Sequence, residues 1–361
     1  MNRKLRSFLR RRGATAEEIE RAEREGRLVV LAFDYRLLPG RPRYTFAEAC
    51  GRANFDEATL KRLWRALGFP DPPPGERLFR DEDVEAIITM RRQIESTIVP
   101  VGENLEGIVQ IVRVVAGSLA KIAEVESDAL ASAVRERRRA GIPEDDIAAE
   151  VLESLDWSRL SRLIDYALRL QLRAAARRKL IATNPDAIGA ENLAVGFVDL
   201  VGYTALSQEL EPEELAALVT RFEELAYDTV AEHAGRVVKT IGDEVMFVDA
   251  EIANAANIAL RLTERSAVDE LLPEARAGLA AGTVLSQEGD YYGPVVNLAS
   301  RLVELARPGT VLASSEVRDA LADDPAFVWH RLRSRRIRDI GRIEVWALER
   351  AREQVSEPGG G

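Results

Sequence analysis

The hydrophobic pattern divides the chain in two. Up to about Ala182 the apolar positions recur at helical spacing; after Glu191 they run in short unbroken or alternating stretches, as strands do. In the first part, "TAEEIERAERE" places Thr15 and Glu18 at capping-box spacing and predicts a helix start. "DEDVEAIITMRRQIE" and "PEDDIAAEVLESL" carry the same periodicity. "NLEGIVQIVRVVAGSLAKIAEVE" is apolar on more than one face and predicts a buried helix, packed within the chain or between subunits. "DWSRLSRLIDYALRLQLRAAARRKLIA" predicts a long helix with Leu160, Leu163, Ile164, Ala167 and Leu168 on one face. Its end is basic (Arg173, Arg177, Arg178, Lys179), which suits the carbonyl end of a helix, and "TNPD" then stops it.

In the second part "NLAVGFVD" is apolar throughout and predicts a central strand. A pair of helices is expected from Tyr203 to His233. A hairpin of "GRVVKT" and "EVMFV" follows around Ile241–Gly242. Then come a helix from Ala250 to Ser266, strand "ARAGLAAG", helix "PVVNLASRLVELA", strand "TVLAS", and strands near Val328–Arg333 and Ile343–Leu348. The expected fold is multidomain: an all-α domain over 1–155, a linker helix over 156–190, an α+β domain with helices on a mixed sheet over 191–350, and a disordered tail over 351–361.

Composition narrows the function classes. The 361 residues are 46% hydrophobic and 30% charged, ordinary for a globular chain with two cores. A net charge of −10 argues against nonspecific nucleic-acid binding. One cysteine, Cys50, rules out an intrachain disulfide and points to a reducing compartment, and with only His233 and His330 beside it a zinc site is not expected. The greasiest helix is broken by Gln110, Arg113 and Lys121, so no membrane span is expected, and the basic start lacks the apolar core of a signal peptide. A cytoplasmic protein is expected.

The chemistry gathers in the second part. Asp199 stands where the first strand ends, and the backbone N–H groups of Val201–Thr204, including Gly202, Tyr203 and Thr204, open a helix suited to phosphate. Asp243 sits at the hairpin tip, which a βαββ arrangement brings beside the end of the first strand. Two carboxylates there can hold two hard cations, which lower the pKa of an attacking hydroxyl and neutralise phosphate charge. Asn297 and Arg301, four residues apart in "NLASRL", share a helix face, and an arginine there can stabilise charge on phosphorus. Read alone, those two would be a satisfied amide and a surface arginine.

Together "FVDLVGYT", "GRVVKTIGDEVMFV" and "GDYYGPVVNLASR" resemble the motifs of the class III nucleotidyl cyclases, in that family's order, over about Glu191–Leu348. The resemblance implies a ferredoxin-like α+β catalytic domain. It implies that Asp199 and Asp243, helped by the Leu200 carbonyl, bind two Mg²⁺ or Mn²⁺ ions, that Asn297 orients the ribose, and that Arg301 stabilises the transition state. Lys239 is similar to the family's purine-reading lysine, with Asp290 as its partner. A carboxylate accepts from the adenine N6 amine and an ammonium donates to N1, whereas guanine reverses both groups, so ATP is the expected substrate. Arg338, in "RIRDIG", is the nearest counterpart of a lysine that contacts the β- and γ-phosphates. The resemblance further implies a homodimer with two equivalent composite sites, the aspartates from one chain and Lys239, Asp290, Asn297 and Arg301 from the other.

The first part carries weaker signals. "YTFAEACGRANFDEATLKRLWRALGF" resembles the helix-turn-helix start of MerR-type regulators, but the second helix begins with acidic residues, so a packing unit is expected rather than a DNA reader. The whole layout resembles bacterial adenylate cyclases with an N-terminal helical regulatory domain, one of them pH-responsive and mycobacterial. That implies inhibition relayed through the linker helix, with a small molecule, a lipid or a proton as effector. With two histidines, a pH switch would need shifted carboxylates or the linker's basic cluster. The competing reading is a nucleotide-binding regulatory protein with a helix-turn-helix half. A diguanylate cyclase fits less well, because it would not carry "NLASR".

Overall fold

The computed structural model describes residues 2–96, 105–154, 156–181, 190–337 and 341–351. The chain forms two compact units, Met1–Ala182 and Thr183–Gly361. Among the described residues no helix is long and apolar enough to cross a membrane.

The first unit is helical: α1 (Arg3–Arg12), α2 (Ala16–Arg24), α3 (Leu28–Leu37), α4 (Phe46–Ala53), α5 (Glu57–Ala66), α6 (Asp81–Glu95), α7 (Leu105–Arg139), α8 (Glu144–Ser154) and α9 (Trp157–Ile181). The capping box at α2 forms as expected: the Thr15 hydroxyl accepts from Glu18 N–H at 3.0 Å, and Glu18 accepts from Thr15 N–H at 2.7 Å. One core joins α1–α3 to α8 through Leu5, Leu9, Ile19, Ala32 and Ile147; another joins α4–α6 through Phe46, Cys50, Leu60 and Ile87, with Phe79 beside them. The helix-turn-helix stretch becomes α4 and α5, joined by a turn whose Asn54 takes a left-handed conformation, φ 49°.

Of the two expectations for "NLEGIVQIVRVVAGSLAKIAEVE", packing within the chain is met only in part. The stretch becomes the first part of the 35-residue α7, and Ile111 (65% exposed), Val115 (50%) and Val125 (69%) face outward in the single chain. Among the described residues the clearest cover of α7 lies toward its two ends. Val109 packs with Leu63 and Ala66 of α5, and Val134 joins the α1–α3 and α8 core. On α9, Leu160 and Ile164 are half-buried while Leu163 and Leu168 are exposed.

The second unit contains β1 (Ala190–Leu200), α10 (Tyr203–Glu209), α11 (Pro212–Glu232), β2 (Arg236–Ile241), β3 (Glu244–Asp249), α12 (Ile252–Val268), β4 (Ala275–Gln287), β5 (Asp290–Tyr292), α13 (Pro294–Leu305), β6 (Val311–Ala313), α14 (Ser315–Ala320), β7 (Phe327–Arg331), β8 (Arg335–Ile337), β9 (Gly341–Ile343) and β10 (Trp346–Arg350). The main sheet runs β2-β3-β1-β4-β6-β10-β7, with β5 hydrogen-bonded to β4. All pairs are antiparallel except β4–β6. The order β2-β3-β1-β4, with α11 and α12 as the two crossovers, is the ferredoxin-like arrangement.

The sheet is buried on both faces. Val198, Leu200, Val245, Phe247 and Leu279 pack on one side against Phe222 of α11 and Ile258 and Leu262 of α12. Val195, Phe197, Met246, Val248 and Ala280 pack on the other against Ala299 and Val303 of α13 and against Tyr291. That second seat is close. A Cβ on Gly278 would fall 2.3 Å from Val303 N and 2.4 Å from Ala299 O, so α13 rests directly on the β4 backbone. One local expectation changes. The strand at "ARAGLAAG" continues to Gln287 and folds back as β5. Asp290 therefore opens a strand. The basic run "RLRSRRIRDIGR" carries the β8–β9 hairpin. Residues 352–361 of the expected tail, and Arg338, lie outside the described residues.

Candidate active site

Asp199 is the last residue but one of β1, and the antiparallel register sets Glu244 of β3 on one side of it and Arg276 of β4 on the other. Asp243 occupies the two-residue loop between β2 and β3, after Gly242 at φ 64°, a conformation natural to glycine. Leu200 N–H donates to the Asp243 carbonyl at 3.2 Å, which ties the loop to the end of β1. The expected meeting of the two aspartates is thus formed by the sheet. Burial, and then the charge of Asp199, push the Asp243 carboxyl up to about 6. Burial with the charges of Asp199 and Asp243 pushes Glu244 up to about 7.

Arg276 offsets part of this negative charge. Its Nε and Nη2 donate to Asp199 Oδ2 at 2.8 and 2.6 Å, and its Nη1 donates to the Glu304 carbonyl of α13 at 3.3 Å. Sequence reasoning missed Arg276. The available signal was a lone arginine inside the small, apolar strand "ARAGLAAG".

Two carboxylates and the adjacent Leu200 carbonyl are hard oxygen donors, and three acids against one guanidinium leave the spot electronegative. Among the described residues no three His, Cys, Asp or Glu side chains are placed as a ready cage for one ion. Such an incomplete oxygen set fits Mg²⁺ or Mn²⁺, which keep water and take phosphate oxygens as further ligands.

Beyond Asp199, Gly202 adopts φ 80° and precedes the seven-residue α10; Tyr203 is half-buried against the core and Thr204 is exposed. One member of the expected N–H cradle is already used, since Val201 N–H donates to the Glu274 carbonyl at 3.0 Å.

Lys239 and Asp290 come together across 51 residues of sequence, with Nζ donating to Oδ2 at 2.5 Å. The other oxygen, Oδ1, accepts from Tyr291 N–H at 2.8 Å, so the Asp290 carboxylate is held on both sides. A β-bulge aims the lysine. Arg236 stands opposite Val248 and Lys239 opposite Met246, with an irregularity between Val237 and Lys239. Val248 and Met246 share the α13 face of the sheet. In a regular strand, residues three apart would point to opposite faces; the bulge puts both cations on one.

Asn297 and Arg301 are exposed on α13, and Arg301 pairs with Glu304 at 2.5 Å. Among the described residues no hydrogen bond or ion pair joins Asn297 or Arg301 to Asp199 or Asp243. Asp290 pairs with Gln287 at one end of β4, whereas Asp199 pairs with Arg276 at the other. The histidines stand apart from the site: His233 contacts the Thr229 carbonyl at 3.0 Å, and His330 lies beside Glu349 at 3.6 Å. In the first unit, Lys61 and Arg65 of α5 are bound to Asp71 at 3.2 and 2.6 Å.

Comparison with known proteins gives two domain matches. The family described as adenylate cyclase regulatory domain matches residues 2–176, and adenylate and guanylate cyclase catalytic domain matches residues 187–350. An adenylate cyclase of Streptomyces coelicolor is 33% identical over 348 residues, covering 89% of this chain and 90% of its own. An adenylate cyclase of Glutamicibacter nicotianae is 32% identical, covering 88% and 82%. A pH-sensitive adenylate cyclase of Mycobacterium tuberculosis is 34% identical over 320 residues, covering 84% and 77%.

Proposed function

The chain belongs to the adenylate and guanylate cyclase family and carries an adenylate cyclase regulatory domain ahead of the catalytic one; from that premise we propose that it converts ATP to 3′,5′-cyclic AMP and pyrophosphate at sites shared between two copies of itself. The observation that carries this reading is the juxtaposition of Asp199 and Asp243, close enough for one charge to raise the other's pKa. Those two carboxylates and the Leu200 carbonyl would hold two divalent cations, Mg²⁺ or Mn²⁺. When bound, the cations supply positive charge that favours ionisation of the ribose 3′-hydroxyl and neutralises the triphosphate.

The chain's own groups do the rest. The 3′-oxygen bonds to the α-phosphorus while the bond from that phosphorus to the β-phosphate oxygen breaks; pyrophosphate leaves with the electron pair, and the hydroxyl proton passes to solvent. Lys239 donates to adenine N1 and Asp290 accepts from the N6 amine, a pattern that guanine mismatches. Asn297 orients the ribose. Arg301 meets the charge that builds on the phosphorus oxygens. The backbone at Gly202, Tyr203 and Thr204, with Arg338, contacts the triphosphate. The exposure of Asn297 and Arg301, apart from the acids of their own chain, supports a site completed by a partner. The helical unit restrains catalysis and answers to a small molecule, a lipid or a proton.

The test is complementation. Asp199→Ala and Arg301→Ala are each expected to be nearly inactive. Co-refolded in equal amounts, about half the dimers are mixed, and each mixed dimer has one intact site, so roughly a quarter of wild-type cyclic AMP synthesis should return. Verified mixed dimers as inactive as their parents would overturn the shared site. No cyclic product from the wild type with Mg²⁺ or Mn²⁺ would overturn the activity itself.

A further inference from the structure

Strands β2 and β5 are not neighbours in the sheet: β2 is the edge strand beside β3, and β5 pairs with β4. Two side-chain bridges nevertheless join them, one beside the other. The first is Lys239 to Asp290 at 2.5 Å. The second is Arg236 to the Tyr291 hydroxyl. Lys239 and Arg236 come from the same bulged strand, and Asp290 and Tyr291 are consecutive.

The second bridge is built more firmly than the first. Tyr291 is 5% exposed, its ring packed with Phe197, Met246 and Val284 beneath α13. The Arg236 guanidinium lies 5.0 Å from the ring centroid as well as donating to the hydroxyl. The hydroxyl in turn donates to Glu191 Oε2 of β1 at 3.3 Å. Its donor and acceptor capacities are both used, and the chain Arg236–Tyr291–Glu191 pins β5 to β2 and β1 at once. The same Tyr291 supplies the backbone N–H that holds Asp290 Oδ1 at 2.8 Å.

We propose that Arg236, Tyr291 and Glu191 form a positioning unit that sets the Asp290 carboxylate against Lys239 and thereby fixes the choice of purine. This rests on the reading of Lys239 and Asp290 as the purine-recognising pair. None of the three residues touches the base. They act by holding β5, a strand of three residues that among the described residues pairs only with the end of β4. Discrimination between adenine and guanine depends on donors and acceptors being placed to within hydrogen-bond tolerance, so a loosened Asp290 costs selectivity before it costs turnover.

The experiment compares kcat and KM for ATP and GTP, with Mn²⁺, in the full-length wild type, Tyr291→Phe, Arg236→Met, Asp290→Ala, Lys239→Ala and the double variant Tyr291→Phe/Asp290→Ala. Tyr291→Phe keeps the buried ring and removes the hydroxyl; Arg236→Met keeps an apolar stem and removes the cation. Each is expected to lower the ATP-over-GTP ratio of kcat/KM by about tenfold, chiefly through a raised KM for ATP. Adding Tyr291→Phe to Asp290→Ala should change the ratio no further, because the residue being positioned is gone. An unchanged ratio in Tyr291→Phe and Arg236→Met, with a changed one in Asp290→Ala, overturns the positioning unit while leaving the purine pair standing. Full additivity in the double variant overturns it as well. If neither Asp290→Ala nor Lys239→Ala alters the ratio, the purine reading fails and takes this inference with it. Should Tyr291→Phe not fold, Arg236→Met decides alone.

Discussion

Arg276 stands directly across from Asp199 in the β1–β4 register and holds one oxygen of its carboxylate through two nitrogens, at 2.8 and 2.6 Å. Asp199 is 16% and Arg276 27% exposed, so the pair is largely withdrawn from water. The guanidinium supplies positive charge to Asp199 directly and to Asp243 beside it. Arg276→Met should therefore lower the stability of chelator-treated protein by roughly 1–3 kcal/mol, the usual scale for hydrogen bonds to a charged group. Millimolar Mn²⁺ should narrow the gap by supplying charge to the same acids. Thermal unfolding of both proteins in chelator and in Mn²⁺ checks this; a gap that Mn²⁺ does not narrow would separate Arg276 from the metal site.

The acids meet only in the folded sheet, since Asp199 and Asp243 are 44 residues apart in sequence. A divalent cation that binds both must then stabilise the fold, by about 2.7 kcal/mol at one hundred times its dissociation constant. Mn²⁺ should raise the melting temperature of the wild type and lose most of that effect in Asp199→Asn and Asp243→Asn. An equal rise in all three would place the ion elsewhere.

Asp249 ends β3 with a 9% exposed side chain. Its Oδ1 accepts from Glu251 N–H at 2.8 Å, and its Oδ2 has no hydrogen-bond partner among the described residues. Burial raises its pKa and the Glu251 charge adds to the rise, while the Glu251 and Ala250 N–H groups and His233 act the other way. A carboxyl whose pKa is higher folded than unfolded favours the fold most when protonated. Its contribution is lost as pH rises from the unfolded pKa through the folded one, and the full penalty stays above that. The melting temperature of Asp249→Asn relative to wild type should thus be more favourable at pH 7.5 than at pH 4. A difference that is flat or reversed with pH would refute this.

The catalytic unit carries its own core, with Phe222, Phe247, Ile258 and Leu279 all fully buried within it. A fragment starting at Asn184 should fold as a dimer and show a rate or pH profile different from that of the full chain. Identical profiles from pH 5 to 9 would leave the helical unit without the restraining role proposed for it.

The residues legible in the sequence were those set by local motifs. Asp199 ends an apolar strand, Asp243 follows a turn glycine, and Lys239 lies four residues before it. What escaped was set by pairing at long range. Arg276 joins the acids only through a register linking strands 77 residues apart. The β2 bulge is invisible in "GRVVKT", which reads as a regular strand, and it is what turns Arg236 and Lys239 to the same side. The hairpin that carries Asp290 was not legible either, because the pairing of β4 with β5 follows from hydrogen bonds rather than from periodicity. On α7, apolar residues predicted burial that the helices at its two ends do not provide. Hydrophobicity reports what favours cover, not what arrives to supply it.

Gly278 has a consequence for how a mutational survey of this chain would look. The residue is remote in role from nucleotide, metal and base, yet α13 lies on its bare backbone, and α13 carries Asn297 and Arg301. Even one methyl there acts as a wedge under the helix, lifting both side chains together. A scan scored by activity alone would rank position 278 with the chemical residues. A scan scored also by abundance would expose it as a seat rather than a reactant.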